Sequence, residues 1–127
     1  MKFRAICQNH LYHKAYEKGK RAVTPSLAVY VLPDYQAKRL AKAHPQKIVM
    51  NRIGLTVSTK IGGAVVRSRV RRILRAGLQD VMKKRPLKTG FLIVIAARGA
   101  AKKKKSTDIA AELFTAFSAI SMFEGQS

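Results

Sequence analysis

Acidic residues are scarce in this chain. Six Asp and Glu stand against 26 Lys and Arg, leaving a formal net charge of +20 over 127 residues. From Tyr35 to Gln79 there is no acid at all, while eleven Lys or Arg occur. Such a balance is the electrostatic footprint of a nucleic-acid binder. The few acids are scattered, with no carboxylate pair at metal spacing and no cluster with histidine, so nothing resembles the centre of an autonomous protein nuclease. Cysteine is nearly absent too: a single Cys7 excludes an internal disulfide and fits a reducing compartment. His10, His13 and His44 share no metal-ligand spacing with it, and no zinc site is expected. Long apolar runs are missing. The longest, Phe91 to Ala97, has seven residues, where a membrane helix needs roughly twenty. The N-terminus has no apolar h-region, so no signal peptide and a cytoplasmic location are expected.

What is present begins with core-forming residues. A hydrophobic share of 47% separates the chain from disordered basic tails, and its length suits one domain over residues 1–127. Within that domain, 35–47 reads as an extended basic insertion and 123–127 as a flexible tail.

Five arginines fall within the nine residues Arg67-Ser68-Arg69-Val70-Arg71-Arg72-Ile73-Leu74-Arg75. At about 100° per residue, Val66, Val70, Ile73, Leu74, Gly77, Leu78 and Val81 form one stripe. Ser68, Arg72 and Arg75 lie opposite it, with Arg67, Arg69 and Arg71 on its flanks. The pattern predicts a packed amphipathic helix over about Ala64 to Lys84 whose outer wall is guanidinium. Charged helix faces are commonly solvated surface with both signs mixed, and a basic amphipathic helix also suits a membrane surface. Here the i,i+4 pairs Arg67/Arg71 and Arg71/Arg75 are like-charged and destabilise the isolated helix. A polyanion would offset that repulsion, and guanidinium forks match phosphate oxygens two at a time.

Along the rest of the chain, Asn9 to Lys18 reads as a short helix stopped by Gly19. Leu27 to Leu32 reads as a strand between Pro25 and Pro33-Asp34. Gln36 to Lys42 suits a short helix. Ile48 to Ser58 is a strand region in which Ile53, Leu55 and Val57 alternate with Arg52, Gly54, Thr56 and Ser58, predicting one buried and one wet face. Phe91 to Ala97 reads as an interior strand. A final helix over about Thr107 to Met122 carries the stripe Ile109, Leu113, Phe117 and Ile120, with Ser106 or Thr107 as cap and Asp108 and Glu112 near its positive end. The order α-β-β-β-α-β-α indicates an α+β fold, a single-domain α/β sandwich with three main helices on one central, mostly antiparallel sheet of about four strands.

The segment from Arg52 to Arg75, with Ser58-Thr59-Lys60-Ile61-Gly62-Gly63-Ala64-Val65 ahead of the arginines, resembles the signature of the bacterial RNase P protein subunit. That pattern is a strand ending in Ser-x-Lys-x-Gly-Asn-Ala-Val, then Arg-Asn-Arg, a hydrophobic residue, Lys/Arg-Arg, two apolar residues and Arg. Tyr12-x-x-x-Tyr16-x-x-Gly19 is similar to the family's first helix, Ala28-Val29-Tyr30 to its first core strand, and Ile93 to Arg98 to its penultimate element. Gly63 and Ser68 depart from the pattern, each standing where the family has Asn; Ser68 keeps a hydroxyl of shorter reach.

The resemblance implies a ribosomal protein S5 domain 2-like fold and a role in RNase P, the ribonucleoprotein endoribonuclease that removes the 5′ leader of precursor tRNA. It implies that hydrolysis belongs to the catalytic RNA and to Mg²⁺ bound by RNA and substrate, with no catalytic or metal-binding side chain here. One protein per RNA is expected. It also implies two surfaces. Lys60, Gly62, Gly63, Arg67, Ser68, Arg69, Arg71, Arg72 and Arg75 would contact the RNase P RNA, the glycines permitting close backbone approach and the helix N-terminus offering N–H donors. Tyr12, Tyr16, Ala28 and Tyr30 would receive the single-stranded leader, although the Tyr16 ring suits the core equally. The Lys102 to Lys105 run reads as a solvated loop adding to the positive field. A general ribosomal or RNA-binding protein would show the same charge and architecture, distinguished by indifference to the leader. A helix-turn-helix regulator lacks the framing second helix.

Overall fold

In the computed structural model, residues 3–6, 9–43 and 49–126 are described. Cys7, His44 and Ser127, on which expectations were placed, lie outside them. The elements are β1 (Arg4–Ala5), α1 (Asn9–Lys18), β2 (Lys20–Val23), β3 (Leu27–Pro33), α2 (Ala37–Ala43), β4 (Arg52–Thr56), α3 (Ala64–Lys84), β5 (Phe91–Ala97), a 3-10 turn (Gly99–Lys103) and α4 (Ser106–Ala119).

The fold is α+β as expected, and its sheet is mixed, with the antiparallel pairings the more extensive. Its strand order is β1-β4-β5-β3-β2. β1/β4 and β4/β5 are parallel, while β3/β5 and β2/β3 are antiparallel. The cause is α3, whose 21 residues carry the chain back to the start of the sheet and force β5 alongside β4 in the same direction. β2 and the two-residue β1 add strands that the sequence order omits. β1 covers only Arg52 and Ile53, so among the described residues the outer edge of β4 has no strand partner from Gly54 onward.

Two apolar clusters lie on opposite sides of the sheet. On one, Leu11 and Ala15 of α1 pack with Leu32, Leu92 and Val94, and Tyr12 and Tyr30 sit against them. Gly19 ends α1 by bringing its N–H to Ala15 O at 2.9 Å, where a Cβ would lie 2.6 Å from that oxygen. On the other side, Val29, Val31, Ile53, Ile93 and Ile95 meet the stripes of α3 and α4. Along α3 the buried residues are Val70, Leu74, Gly77, Leu78, Val81 and Met82. Val66, expected on the stripe, is 36% exposed. At Gly77 α3 and α4 approach closely: a Cβ there would stand 2.8 Å from Ile109 Cγ2 and 3.0 Å from Ala110 N.

The expected wet face of β4 is wet only toward its end, where Thr56 is half-buried and Ser58 exposed; Arg52 and Gly54 are buried. Arg52 is buried because its Nε and Nη2 donate to Asp34 Oδ2 and Oδ1 at 2.7 and 2.8 Å. Gly54 is buried under Tyr12. The expected insertion 35–47 contains α2, which starts beyond Asp34 as the Gln36 amide donates to Asp34 Oδ1. α4 begins one residue earlier than expected. Lys105 is its N-cap, and its amide donates to Asp108 Oδ2 at 3.0 Å, so neither Ser106 nor Thr107 caps it. The expected tail is anchored at its start. Phe123 is fully buried against Phe114 and Phe117, and Gln126 bonds the Phe123 amide and the Ser118 carbonyl.

Candidate nucleic-acid interface

The entry to α3 is a turn held by the Ile61 amide donating to Ser58 O at 3.1 Å, with Ile61 buried beneath it and Lys60 exposed. Gly63 is the N-cap in an extended conformation with no side-chain cap, and the first helical turn holds no acid. Its backbone N–H groups therefore face outward without a side-chain partner from the cap, the arrangement that suits phosphate. Neither Gly62 nor Gly63 has positive φ. Gly62 makes room for Val66, whose Cβ would lie 3.0 Å from an added methyl, whereas Gly63 borders open space.

From there the arginines divide by flank. Ser68, Arg71, Arg72 and Arg75 are exposed; Arg67 and Arg69 are half-buried. Arg67 Nε is buried without a hydrogen-bond partner. Arg69, one of the expected phosphate contacts, is engaged with main chain. Its Nη1 donates to Lys102 O at 2.8 Å and its Nη2 to Lys104 O at 3.1 Å, so its fork is occupied by main chain. Arg71, on the opposite flank, borders a cavity of about 410 Å³ with Tyr12, His13 and Tyr16 of α1 and with Thr56 and Val57 at the open end of β4.

Of the four expected leader residues, that cavity gathers two, Tyr12 and Tyr16; Ala28 and Tyr30 do not line it. Tyr16 is 40% exposed. Its hydroxyl is 3.3 Å from Thr56 Oγ1, and its ring meets Tyr30 edge to face at 4.9 Å. Tyr12 and Tyr30 are half-buried. Ala28 is only 7% exposed, on the sheet face it shares with Tyr30, and has little surface to offer a ligand. Five lining residues were missed: Leu55, Thr56 and Val57 at the end of β4, and two on α1. Asn9 and His13 border the cavity with Tyr12 and Tyr16, and the signal was legible, since 9, 12, 13 and 16 follow the i, i+3, i+4, i+7 rhythm of one helix face. Gly54 was missed as well. A Cβ there would stand 2.6 Å from Tyr12 Cζ, so the absent side chain is the seat of that ring; a glycine inside a strand marks such an approach.

Among the described residues no three His, Cys, Asp or Glu side chains group closely enough to hold a metal ion. None of the described helices is long and apolar enough to cross a membrane. The site is a basic ridge with an aromatic cleft along one side, meeting at Arg71.

Comparison with known proteins gives the same direction. The Ribonuclease P family model matches residues 1–121. The ribonuclease P protein component of Clostridium acetobutylicum is 37% identical over 109 residues, 86% of this chain and 82% of that protein. Its counterpart in Thermoanaerobacter sp. is 33% identical over 96 residues, 74% of this chain and 69% of the other. In fold, the chain is similar to the Staphylococcus aureus RNase P protein, with a TM-score of 0.72 at 24% identity, covering 97% of this chain and 100% of that one. The Thermotoga maritima RNase P protein gives 0.59 at 16% identity, over 82% and 86%. A family model that spans the interface and both faces of the sheet, joined by that 37% identical relative, settles the membership: the chain belongs to the ribonuclease P protein family.

Proposed function

We propose that this chain is the RNA-binding protein component of ribonuclease P, assisting a catalytic RNA in removing the 5′ leader from precursor tRNA. Family membership carries the role in ribonuclease P and in tRNA processing. The division of labour is our reading of the geometry. The α3 ridge, with Lys60 and the uncapped helix N-terminus, holds the ribonuclease P RNA through phosphate contacts. The cleft of Tyr12 and Tyr16, with Tyr30 behind Tyr16, takes the single-stranded leader, where aromatic rings stack on unpaired bases at roughly 1–3 kcal/mol each with little regard for sequence. The observation that carries this reading is the position of Arg71, which belongs to the ridge and borders the cleft at once. A leader lying there remains within reach of the RNA that α3 holds.

Phosphodiester hydrolysis is assigned to the RNA, and Mg²⁺ to the RNA and substrate; no side chain of this chain is given a catalytic step. The protein contributes affinity for substrate and neutralises crowded phosphate charge, an effect most visible when Mg²⁺ is scarce. The test is cleavage of precursor tRNA at low Mg²⁺ with a bacterial ribonuclease P RNA, with and without the protein. Mature 5′ ends that require both components support the proposal. A protein that binds this RNA without aiding cleavage is a general RNA-binding protein, and cleavage by protein alone means a nuclease centre has been overlooked.

A further inference from the structure

The four lysines 102–105 are fastened to the fold. Arg69 reaches from the flank of α3 opposite the tyrosine cleft and spans the Lys102 and Lys104 carbonyls at 2.8 and 3.1 Å. The turn closes through the Lys104 amide to Ala101 O at 3.2 Å, over a fully buried Ala101. Beyond it, Asp108 holds the Lys105 amide at 3.0 Å. Lys104 is half-buried and its charge acts on Glu112. Lys102, Lys103 and Lys105 are left exposed on a backbone fixed at both ends.

Neighbouring ammonium groups repel, and a loose loop would relieve the repulsion by spreading. Here a guanidinium fork is committed to preventing that. Cations whose backbone roots are fixed suit phosphates that are themselves preset, as in a double helix. A single strand bends to its partner and needs no such array. We infer that Lys102, Lys103 and Lys105 form a second phosphate-binding patch, for double-helical RNA, and that Arg69 is the positioning residue that sets it. Arg72 lies three residues along α3 from Arg69 on the neighbouring face, so the patch continues the ridge away from the leader. The inference rests on α3 being an RNA-binding face and adds that the ridge is wider than one helix.

The experiment titrates the full chain against a plain RNA duplex and an unstructured single strand of equal length, across a range of salt. The variants are Arg69→Lys, the triple Lys102→Ala, Lys103→Ala, Lys105→Ala, and the two combined. The triple variant is expected to flatten the log–log salt slope on the duplex by about 2 to 3, at about 0.9 per phosphate, while changing single-strand binding little. Arg69→Lys keeps its charge and loses its fork, so duplex affinity is expected to fall several-fold in the wild-type background. In the triple background the same substitution should have almost no effect. An unchanged slope in the triple, equal losses on both probes, or an Arg69→Lys loss of the same size in both backgrounds would each overturn the inference. A wild-type chain with a flat salt response would instead remove the reading of α3 itself.

Discussion

Tyr12 rests on Gly54. Its ring occupies the space that any side chain at position 54 would need, with Cζ 2.6 Å from where a Cβ would stand. The cleft floor is therefore set by an absence in β4 as much as by a presence in α1. Gly54→Ala should expel the ring and weaken holoenzyme binding to precursor tRNA by about the value of one stacked base, roughly 1–3 kcal/mol. Affinity for mature tRNA should stay the same. Paired binding measurements on the two tRNAs decide it, and equal losses would place Tyr12 outside the leader path.

Arg71 and Arg75 sit one turn apart on α3 yet face different surroundings, since only Arg71 borders the cavity. Arg75→Ala is expected to weaken assembly with the ribonuclease P RNA alone. Arg71→Ala should weaken assembly and also lower the preference for leader-bearing substrate, whereas Tyr12→Ala should lower only that preference. If Arg71→Ala and Arg75→Ala behave identically in both assays, the two surfaces do not meet at Arg71.

Asp34 and Arg52 form a two-pronged ion pair with side chains 2% and 11% exposed. Asp34→Ala strands a buried guanidinium and also removes the acceptor for the Gln36 amide. Loss of one partner of a buried pair costs about 3–5 kcal/mol. Urea unfolding should register it, and a loss under about 1 kcal/mol would show that Arg52 swings into water.

Glu112 links α4 to the start of β3 by accepting the Ser26 amide at 2.8 Å. Burial pushes its carboxyl up, but the polar groups of Thr24 and Ser26, of which the Ser26 amide makes the direct hydrogen bond, and the Lys104 charge outweigh this and hold it below its ordinary range. A depressed carboxyl stabilises the fold above its unfolded value and ceases to do so as pH falls through its folded one. Stability should therefore drop on acidification below about pH 4. Glu112→Gln should shrink that part of the drop in thermal unfolding across pH. A drop of undiminished size would assign it to other acids.

Gly77 allows α3 and α4 to touch. A methyl there meets the Ala110 backbone at 3.0 Å and cannot displace it cheaply. Gly77→Ala is expected to destabilise by about 1–3 kcal/mol through overpacking, although alanine is the better helix former by about 1 kcal/mol. A stabilised variant would mean that the helices can part without loss.

Much of this architecture was legible from periodicity. The bounds of α1, α3 and β5 emerge from apolar spacing because each element buries one continuous stripe or run. β2 was not legible: Lys20-Arg21-Ala22-Val23 is largely exposed and owes its strand form to the β3 ladder alone. Arg52 misled for a related reason. Its partner lies 18 positions away, and a charged residue in an alternating strand reads as wet unless that partner is known. The parallel pairing of β4 with β5 could have been inferred from the long helix between them. At the site, residue type carried the arginines and tyrosines but not their allegiance. Arg69 and Arg71 look equivalent in sequence, and only the packing turns one toward a lysine loop and the other toward a cleft.

The outer edge of β4 ends the sheet with unpaired backbone from Gly54 onward among the described residues. Open edges of this kind are templates on which copies of a chain align and aggregate. Here the guard is electrostatic, because two molecules each carrying a net charge of +20 repel before their edges meet. On the proposed function, the charge assigned to RNA binding would also oppose self-association of the free protein. Salt acts on both at once, loosening the complex and lowering the barrier between the molecules it sets free.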